Sequence, residues 1–448
     1  MKNKIILLCI FTSFLYNACD DALDVKPENY LFEEQLVTDD KSAQTSLTGV
    51  YTQLNWLYAQ YFELVPPIMD GSLTPTASLT GIWGEAKNNT FDSSNAVTNT
   101  MYEWPYYIVN SANATIKAVS GNEAVSQTER DRILSEAYFL RAFGHYQALR
   151  LFGQFFDTSS NYGIVIRDKL STVENSQKAR STVQESYDFI LSDLDKSIDL
   201  NAPFSKNYYA SAVAAKAFKA NILMYMGGDA NYTEAINLAN EVIASGAVSL
   251  ETKFEDVFLK GSANREVIFS RTVGTGQSNK LSSFFQTNVK ASTWVQNYLL
   301  GDPRAAASYL STTKVIKKIY TTSLTASPTN YLRLAEVYLI KAECQARLNL
   351  LSQAETTLNV IRNRAYSGAA PALVYTTKEH LLDLIFSEYV KELCFETGAV
   401  WFAAIRYGKL ETLRPSITST NQYILPIPIS ELETNLEFGA QNPGYLGL

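Results

Sequence analysis

Cysteine and histidine are scarce in this sequence, which has four cysteines and two histidines among 448 residues. No CxxC pair occurs, so neither a zinc-binding nor a redox motif is supported. Cys344 and Cys394 both fall in segments with helical patterning. They could form a disulfide, but two isolated buried thiols are the simpler interpretation. His145 and His380 have no cysteine or histidine neighbour at metal-ligand spacing, so we expect no metal site.

Signatures of common catalytic sites are also missing. The GTG of residues 274–276 is not completed to a dinucleotide-binding GxGxxG, and neither GxxxxGK nor a GxSxG nucleophile turn occurs. A glycosidase needs two carboxylates about 5 to 10 Å apart across a cleft, and no spacing among the 45 acidic residues singles out a pair. We therefore expect a protein that is not an enzyme and that uses no cofactor.

Positive charge is in the minority, because 38 lysines and arginines face 45 acidic residues and leave a net charge of −7. Nucleic-acid backbones are bound by clustered basic side chains, so the composition excludes nucleic acid as the expected partner. Long hydrophobic runs are missing too. The longest, IILLCIFTSFLY at residues 5–16, is shorter than the roughly 20 apolar residues of a membrane-spanning helix.

The amino terminus has the layout of a cleaved signal peptide. Lys2 and Lys4 precede the short apolar run, and Cys19 follows a small residue behind it. Bacterial lipoproteins are cut before such a cysteine, so we expect removal of residues 1–18 and a lipid on Cys19 that holds the chain at a membrane. Ordinary cleavage beside an incidental cysteine is the alternative, since Tyr16 stands where lipoproteins usually carry an aliphatic residue.

A repeated helical pattern is what the sequence does contain. In residues 331–365, apolar side chains recur at helical spacing in two runs separated by LNLLS. Alanines fill the contact positions, which lets two antiparallel helices approach closely, while Arg333 and Glu343 fall on the other side of the first helix. Ser352 and Glu355 predict a capping box at the start of the second helix. This segment therefore predicts a helical hairpin.

Three further pairs of segments repeat this plan: 211–227 with 232–246, 131–153 with 182–200, and 42–58 with 103–119. Helix pairs of about 34 residues resemble tetratricopeptide repeats, although the spacing here is irregular. We predict a mainly α fold, in which about four hairpins form an irregular tetratricopeptide-like scaffold with long loop-rich inserts and a few short strands. The scaffold and inserts are expected to form a single domain over residues 19–448.

Two inserts interrupt the hairpins, at about residues 59–102 and 250–330. The first is rich in Thr, Ser, Asn, Gly and Pro and poor in charge. The second contains three runs that predict short strands: FEDVFLK (254–260), EVIFSRTV (266–273) and KVIKKIY (314–320). Loops of this length in a compact protein are functional or disordered, and the aromatic residues argue against disorder. We expect the inserts to carry the binding site.

Six segments together have a recognisable character: CDDALDVKP (19–27), SEAYFLRAFGHYQALRLFG (135–153), DPR (302–304), YLRLAEVYLIKAECQARLN (331–349), KELCFETGAVWFAAIRYGKL (391–410) and YILPIPISELETN…QNPGY (423–445). They resemble the SusD/RagB family of outer-membrane nutrient-binding lipoproteins over nearly the whole chain. Val400 and Ala403 depart from the family pattern, which has an arginine and an acid around the aromatic pair. Leu436 stands where a proline is expected.

The resemblance implies a helical scaffold of four repeats that lies as a lid over a SusC-like TonB-dependent barrel. Such a protein would capture oligosaccharides at the outer membrane, facing the cell exterior. Some members of the family bind peptides instead, and the helix pairs also leave open a scaffold that assembles surface proteins. An aromatic platform beside polar loops would favour a glycan, an extended groove a peptide, and a bare concave helical face a scaffold.

Sugar rings present flat C–H faces that stack on aromatic side chains, and their hydroxyls bind amides, carboxylates and guanidinium groups. Trp83 fits this need, because it lies between glycines in LTGIWGEAKNNTF, with Asn88 and Asn89 close behind. The family resemblance also implies that the ligand site draws on this first insert. The alternative is that Trp83 packs the insert against the scaffold.

Three other side chains are candidates for the same site. Trp294, in the second insert, could face the first tryptophan, although packing within a helix at VQNYLL is the alternative. Asp70 could accept sugar hydroxyls, and turn capping would explain it equally well. Tyr58 could reach the rim of the site or pack in the core. Two further tryptophans are assigned to the core: Trp104 and Trp401.

Overall fold

The computed structural model describes residues 37–55, 59–76, 81–271, 286–318 and 329–447. The predicted signal segment, Cys19 and Tyr58 lie outside these residues. Among the described helices, none has the length and apolar character needed to pass through a lipid bilayer.

Helices dominate the structure, and two small sheets accompany them. In chain order the first elements are α1 Asp40–Leu54, α2 Gln60–Met69, β1 Leu73–Pro75, α3 Ile82–Asn88, α4 Ala96–Val119, α5 Gln127–Phe152, α6 Val183–Leu200, α7 Ala212–Met226 and α8 Asp229–Ala244. The later elements are α9 Asp256–Leu259, β2 Val267–Arg271, β3 Val289–Ala291, α10 Thr293–Tyr298, α11 Ala305–Ser308, β4 Thr329–Arg333, α12 Leu334–Arg347, α13 Leu351–Ala365, α14 Lys378–Leu393, α15 Ala399–Arg406, α16 Leu410–Leu413 and α17 Ile429–Thr434.

Four helical hairpins form the scaffold. Helix α1 packs on α4, α5 on α6, α7 on α8, and α12 on α13. Successive hairpins touch through α4 and α5, through α6 and α7, and through α8 and α12, so they stack in chain order. The four predicted helix pairs and the mainly α, tetratricopeptide-like fold are therefore confirmed.

Small residues allow the close helix contacts. Ala342 of α12 and Ala354 of α13 are fully buried where these two helices meet. Gly144 serves the same purpose between α5 and α4, because a Cβ there would lie 2.7 Å from the carbonyl oxygen of Pro105 and 2.8 Å from a methyl of Val109. Only glycine permits so close an approach of one helix to the backbone of another.

Helix boundaries follow capping rules in one place and depart from the prediction in another. Thr182 and Glu185 form a reciprocal capping box at the start of α6. The capping box predicted at Ser352 is wrong, since α13 begins at Leu351 without a side-chain cap. Asn349 adopts a positive φ of 62°, which turns the chain within the short connection after α12 and starts the next helix earlier.

Two antiparallel two-stranded sheets connect distant parts of the chain. Strand β1 pairs with β3, with Leu73 opposite Ala291, and this sheet joins the first insert to the second. Strand β2 pairs with β4, with Val267 opposite Arg333, and this sheet leads directly into α12. The inserts are thus tied to one another and to the last hairpin.

The strand predictions for the second insert were right in one of three cases. Strand β2 confirms the run at 266–273. The run at 254–260 was wrong, because Asp256–Leu259 forms helix α9 and buries Val257 and Phe258 on one side. In the described part of the run at 314–320, Ile316 forms only an isolated bridge with Tyr309.

The first insert is more regular than its composition predicted. It contains α2, β1, α3 and the start of α4 rather than long loops. Pro66 and Pro67 lie inside α2. The helix persists because its apolar side chains are buried in the core: Phe62, Leu64, Val65, Ile68 and Met69.

The two structural cysteines and two tryptophans lie where the sequence placed them. Cys344 and Cys394 are buried free thiols, as the simpler interpretation held. Trp104 and Trp401 are buried, which confirms their assignment to the core. Val400 and Ala403, beside Trp401, are buried with it. Because they replace both the arginine and the acid of the family pattern, no unpaired ion is left buried there.

A buried network of charges fixes the second insert against α12 and α14. Its cations are Arg304, Lys318, Arg333 and Arg364, and its anions are Glu266, Asp302, Glu388, Glu392 and Glu396. Ions buried in this way are tolerated because each faces an opposite charge at hydrogen-bond distance. The DPR segment therefore has a structural part, since Arg304 is enclosed in this network.

Candidate functional site

Helices α2 and α3 of the first insert lie side by side with their starts together and their ends together. Near the starts, the ring centroids of Tyr61 and Trp83 are 5.9 Å apart with planes at 41°. Near the ends, Nδ2 of Asn89 donates to the carbonyl oxygen of Met69 at 3.3 Å. This helix pair carries most of the predicted site residues.

The glycine-rich surroundings of Trp83 suggested a loop. Trp83 is instead the second residue of helix α3. Gly81 takes a positive φ of 62° just before the helix, so this glycine provides the sharp turn into α3. The indole is half-buried, packed against the hydrophobic core on one side and accessible on another. Trp83 therefore anchors α3 without being fully enclosed.

The two asparagines behind Trp83 differ in their surroundings. Asn88 is exposed at the end of α3, where its amide is accessible to a ligand. Asn89 is the left-handed residue that ends the helix, with φ of 54°, and it is buried. Its Oδ1 has no hydrogen-bond partner among the described residues. Asn89 thus positions the turn, while Asn88 lies on the surface.

Asp70 ends α2 and is buried. Its Oδ1 accepts a hydrogen bond from the backbone N–H of Ser72 at 2.7 Å. Burial raises the pKa of the Asp70 carboxyl, hydrogen bonds from Ser72 and the charge of Arg414 oppose this, and the net pKa is about 7. These contacts match the turn-capping interpretation. In this conformation Asp70 does not line an open surface, contrary to its prediction as a direct acceptor for a ligand.

Trp294 lies on the short helix α10 of the second insert and is half-buried. Its ring meets that of Tyr298 at 5.5 Å, edge to face. The indole Nε1 is buried and finds no hydrogen-bond partner within the described part of the chain. A Cβ added to Gly71 would lie 3.2 Å from this nitrogen, so the two inserts meet at Gly71. Trp294 thus lies on a helix, as the packing alternative expected, and its contact with a ligand stays a prediction.

Arg414 belongs to this junction and was missed by the sequence analysis. Its guanidinium donates to the carbonyl oxygens of Ile68, at 3.4 Å, and of Lys87, which lie at the ends of α2 and α3. A Cβ on Gly71 would come within 2.5 Å of its Nη1. The partners lie 346 and 327 residues away in the chain, so no local pattern could have identified this arginine.

The structure thus gathers one group of side chains around Gly71: Asp70, Asn89, Trp294 and Arg414. Trp83 lies at the other end of α3, and Tyr58 lies outside the described residues. The accessible groups are an indole face, a primary amide and a partly exposed guanidinium. Such groups provide stacking and hydrogen bonding, which are the means of reversible binding.

Two family models match this chain. A model described as "Starch-binding associating with outer membrane" matches residues 21–224, and the SusD family model matches residues 216–414. The two matches overlap in α7 and together run from the end of the predicted signal segment to the end of α16. Together they include both inserts and the hairpin scaffold, the first insert in the first match and the second insert in the second.

Named relatives show the same resemblance along the chain. SusD-like protein P38 from Formosa agariphila is 25% identical, over 92% of this chain and 93% of its own length. A SusD-like protein from Bacteroides ovatus is also 25% identical, over 60% of this chain and 50% of its own length.

Solved structures share the fold. A SusD superfamily protein from Bacteroides thetaiotaomicron superposes with a TM-score of 0.78 at 21% identity, over 90% of this chain and 100% of that one. A protein from Bacteroides vulgatus, whose name proposes sugar binding, gives a TM-score of 0.77 at 21% identity, over 92% and 100%. The family models, the relatives and the stacked hairpins agree, and the chain belongs to the SusD/RagB family.

Proposed function

We propose that this chain is a cell-surface lipoprotein of the outer membrane that binds an oligosaccharide and passes it to a SusC-like TonB-dependent barrel. Membership of the SusD/RagB family supports this proposal, as does the starch-binding description of the matching family model. The observation that carries it is the partly exposed indole of Trp83 on a supported helix, with the exposed amide of Asn88 on the same helix.

Affinity would come from stacking of a sugar ring on Trp83. The indole is already held by Tyr61 and by the core beneath α3, so little side-chain freedom remains to be lost on binding. Burial of C–H surface against a fixed aromatic face then supplies favourable free energy with a defined orientation.

Selectivity would come from polar groups at the other end of α3, where further rings of the glycan would lie. The amide of Asn88 has both donors and an acceptor for ring hydroxyls. Arg414 adds directional donors, because its five N–H groups exceed the two carbonyl contacts that hold it. Asn89 and Asp70 act behind this surface by fixing the ends of α2 and α3.

Capture in this proposal is reversible and involves no covalent step, in keeping with binding rather than catalysis. Residues 1–18 would be removed, and lipid on Cys19 would hold the single domain of residues 19–448 at the outer membrane. The protein would then close as a lid over the mouth of the barrel and release its ligand inward.

A glycan array probed with the full chain in detergent tests the binding proposal. We expect retention on a subset of oligosaccharides and none on a matched array of peptides. Binding to peptides alone would contradict the choice of ligand, and binding to neither array would contradict capture. The anchor has its own test, because palmitate labelling should be lost in Cys19→Ser. Unchanged labelling of that variant would contradict a lipid on Cys19.

A further inference from the structure

A cavity of about 430 Å³ lies beside α4. Its walls are one face of α4, the loop between Val165 and Gln177, and the segment from Glu431 to Asn435 at the end of α17. It includes none of the predicted site residues. Its volume is within the range of roughly 300 to 1,000 Å³ in which small-molecule sites fall.

Tyrosines form one wall of this cavity. Tyr102, Tyr106 and Tyr107 of α4 all line the cavity, and Tyr102 and Tyr106 are one helical turn apart on the same side of the helix. The Tyr106 hydroxyl donates to the carbonyl oxygen of Val165 at 3.0 Å, which fixes its ring against the loop. Tyr107 is 40% exposed, so part of its ring remains accessible. The wall therefore combines one ring held in place, that of Tyr106, with one partly exposed ring, that of Tyr107.

Carboxylates occupy two sides of the cavity and are already oriented. Glu103 accepts hydrogen bonds from Nδ2 of Asn99 at 2.9 Å and from the Tyr107 hydroxyl at 3.4 Å. Glu431 accepts from Nδ2 of Asn435 at 2.9 Å. A carboxylate has about four acceptor positions, so both groups retain capacity for a ligand hydroxyl.

The loop that closes the cavity is held in place by several hydrogen bonds. The guanidinium of Arg167 donates to the carbonyl oxygens of Asn175 at 2.8 Å and Ser176 at 2.7 Å. Nε2 of Gln177 donates to the carbonyl oxygen of Thr434 at 2.9 Å, which ties the loop to α17. A cavity formed in advance in this way loses little free energy to ordering when a ligand enters.

We propose that this cavity is a second saccharide site, which takes one or two rings of an uncharged glycan. Tyr107 would contact a ring face, while Glu103 and Glu431 would accept hydroxyl hydrogens. Anionic ligands are disfavoured because two carboxylates line the cavity against one guanidinium, that of Arg167, which already donates to two backbone carbonyl oxygens. A peptide strand is disfavoured because its described walls are helix and loop, without a strand edge to extend.

The ligand class assigned here rests on the proposed function, whereas the position of the cavity does not. Two sites on one protein would let a single long glycan be held at two points. The second contact then forms at a high effective concentration, which slows release. A weak second site can thus matter greatly for a polymeric ligand.

Calorimetric titration of the full chain with maltotriose, xylotriose and mannotriose tests this proposal, because a ligand of three rings can fill each site as a separate equivalent. For the best of the three, we expect two equivalents on the unaltered chain and one on Trp83→Ala. Tyr107→Ala should likewise retain one equivalent, and the double variant none. Glu103→Gln, which preserves shape, should weaken the second site about tenfold. Tyr209→Ala, at another exposed tyrosine, is the matched control and should leave both equivalents.

The outcomes separate the two proposals. If Trp83→Ala loses one equivalent while Tyr107→Ala and Glu103→Gln bind as the unaltered chain does, the second site is overturned and the proposed function stands. If only Tyr107→Ala and Glu103→Gln lose binding, the second site stands and the Trp83 platform is overturned. If the unaltered chain binds none of the three trisaccharides although the array shows retention of a glycan, the second site is overturned and the proposed function stands; no binding in either experiment would overturn both.

Discussion

Arg333 and Glu396 form a bidentate ion pair in the interior of the protein. Nε and Nη2 of Arg333 donate to the two carboxylate oxygens of Glu396 at 2.8 and 3.0 Å. The same guanidinium also pairs with Glu266, just before β2, and with Glu392 in α14. One side chain at the start of α12 thus ties the second insert to the scaffold that presents it.

Removal of this guanidinium should destabilise the protein strongly. Arg333→Met leaves three buried carboxylates without their common partner, so we predict a loss of about 3 to 5 kcal/mol in the free energy of unfolding. Chemical denaturation measures this loss. Lys178→Met is the matched control, because it removes a surface pair with Asp168 and should cost at most about 1 kcal/mol. Equal costs for the two variants would contradict this role for Arg333.

The buried carboxyl of Asp70 should make stability depend on pH near neutrality. Burial raises its pKa from 3.8 to about 7, so the folded protein holds a proton there that the unfolded chain releases. This contribution is complete below about pH 3.8 and is lost as the pH rises through about 7. Between pH 5 and 8, the free energy of unfolding of the unaltered chain should fall with pH more steeply than that of Asp70→Asn. The two slopes should differ by at most about 1.4 kcal/mol per pH unit. Denaturation curves recorded at several pH values give these slopes, and Asp188→Asn, at an exposed aspartate, is the control. Equal slopes for the two variants would contradict a proton held by Asp70.

Glu343 should produce the opposite dependence in acid. Burial alone would raise its pKa, but Arg406 and Arg347 outweigh that effect and lower the pKa to about 2. Its contribution to stability is therefore present above about pH 4.5 and is lost as the pH falls towards 2. We predict that Glu343→Gln is less stable at neutral pH and loses less stability over that acid range. Acid titrations followed by circular dichroism measure this loss, with Glu241→Gln, at an exposed glutamate, as the control. An equal response of the two variants to acid would contradict the role of Glu343.

Gly71 should matter for ligand binding as well as for stability. Alanine there is strained at φ of 77°, and its Cβ would meet the guanidinium of Arg414 and the indole of Trp294. Gly121→Ala is a matched control, because Gly121 has φ of 70° and nothing within 4 Å of the added carbon. Both variants should lose about 1 kcal/mol of stability, with a larger loss at Gly71. Only Gly71→Ala should lower glycan affinity, as measured by calorimetry, and equal affinity in the two variants would exclude this junction from the site.

The hairpin scaffold was predictable because its signal is local. Apolar periodicity and small residues at contact positions are both visible within one segment, as at 331–365. Burial of charge was not visible in the same segment. Arg333 and Glu343 fall on the far side of the apolar face, yet both are buried because other helices cover that side of α12 too. Glu343 has one local partner, Arg347, but its other partner, Arg406, and all three partners of Arg333 are distant in sequence, so local pattern cannot reveal most of these ion pairs.

The site was predictable only in part, for the same reason. Trp83 and Asn88 stand close together in the sequence, so their neighbourhood could be recognised before the fold was known. The burial of Asp70 and the part of Arg414 depend on contacts between residues more than 300 positions apart. The tyrosines of α4 likewise read as scaffold residues, because the cavity beside them exists only once α17 is in place.

The account depends most directly on the aromatic face of Trp83. Calorimetric titration of Trp83→Ala and Trp83→Phe with the glycan selected on the array tests it, with Tyr209→Ala as control and thermal melting to verify that each variant is folded. We predict at least about tenfold weaker binding in Trp83→Ala, substantial recovery in Trp83→Phe, and unchanged binding in Tyr209→Ala. Affinity in a folded Trp83→Ala variant equal to that of the unaltered chain would contradict the central claim.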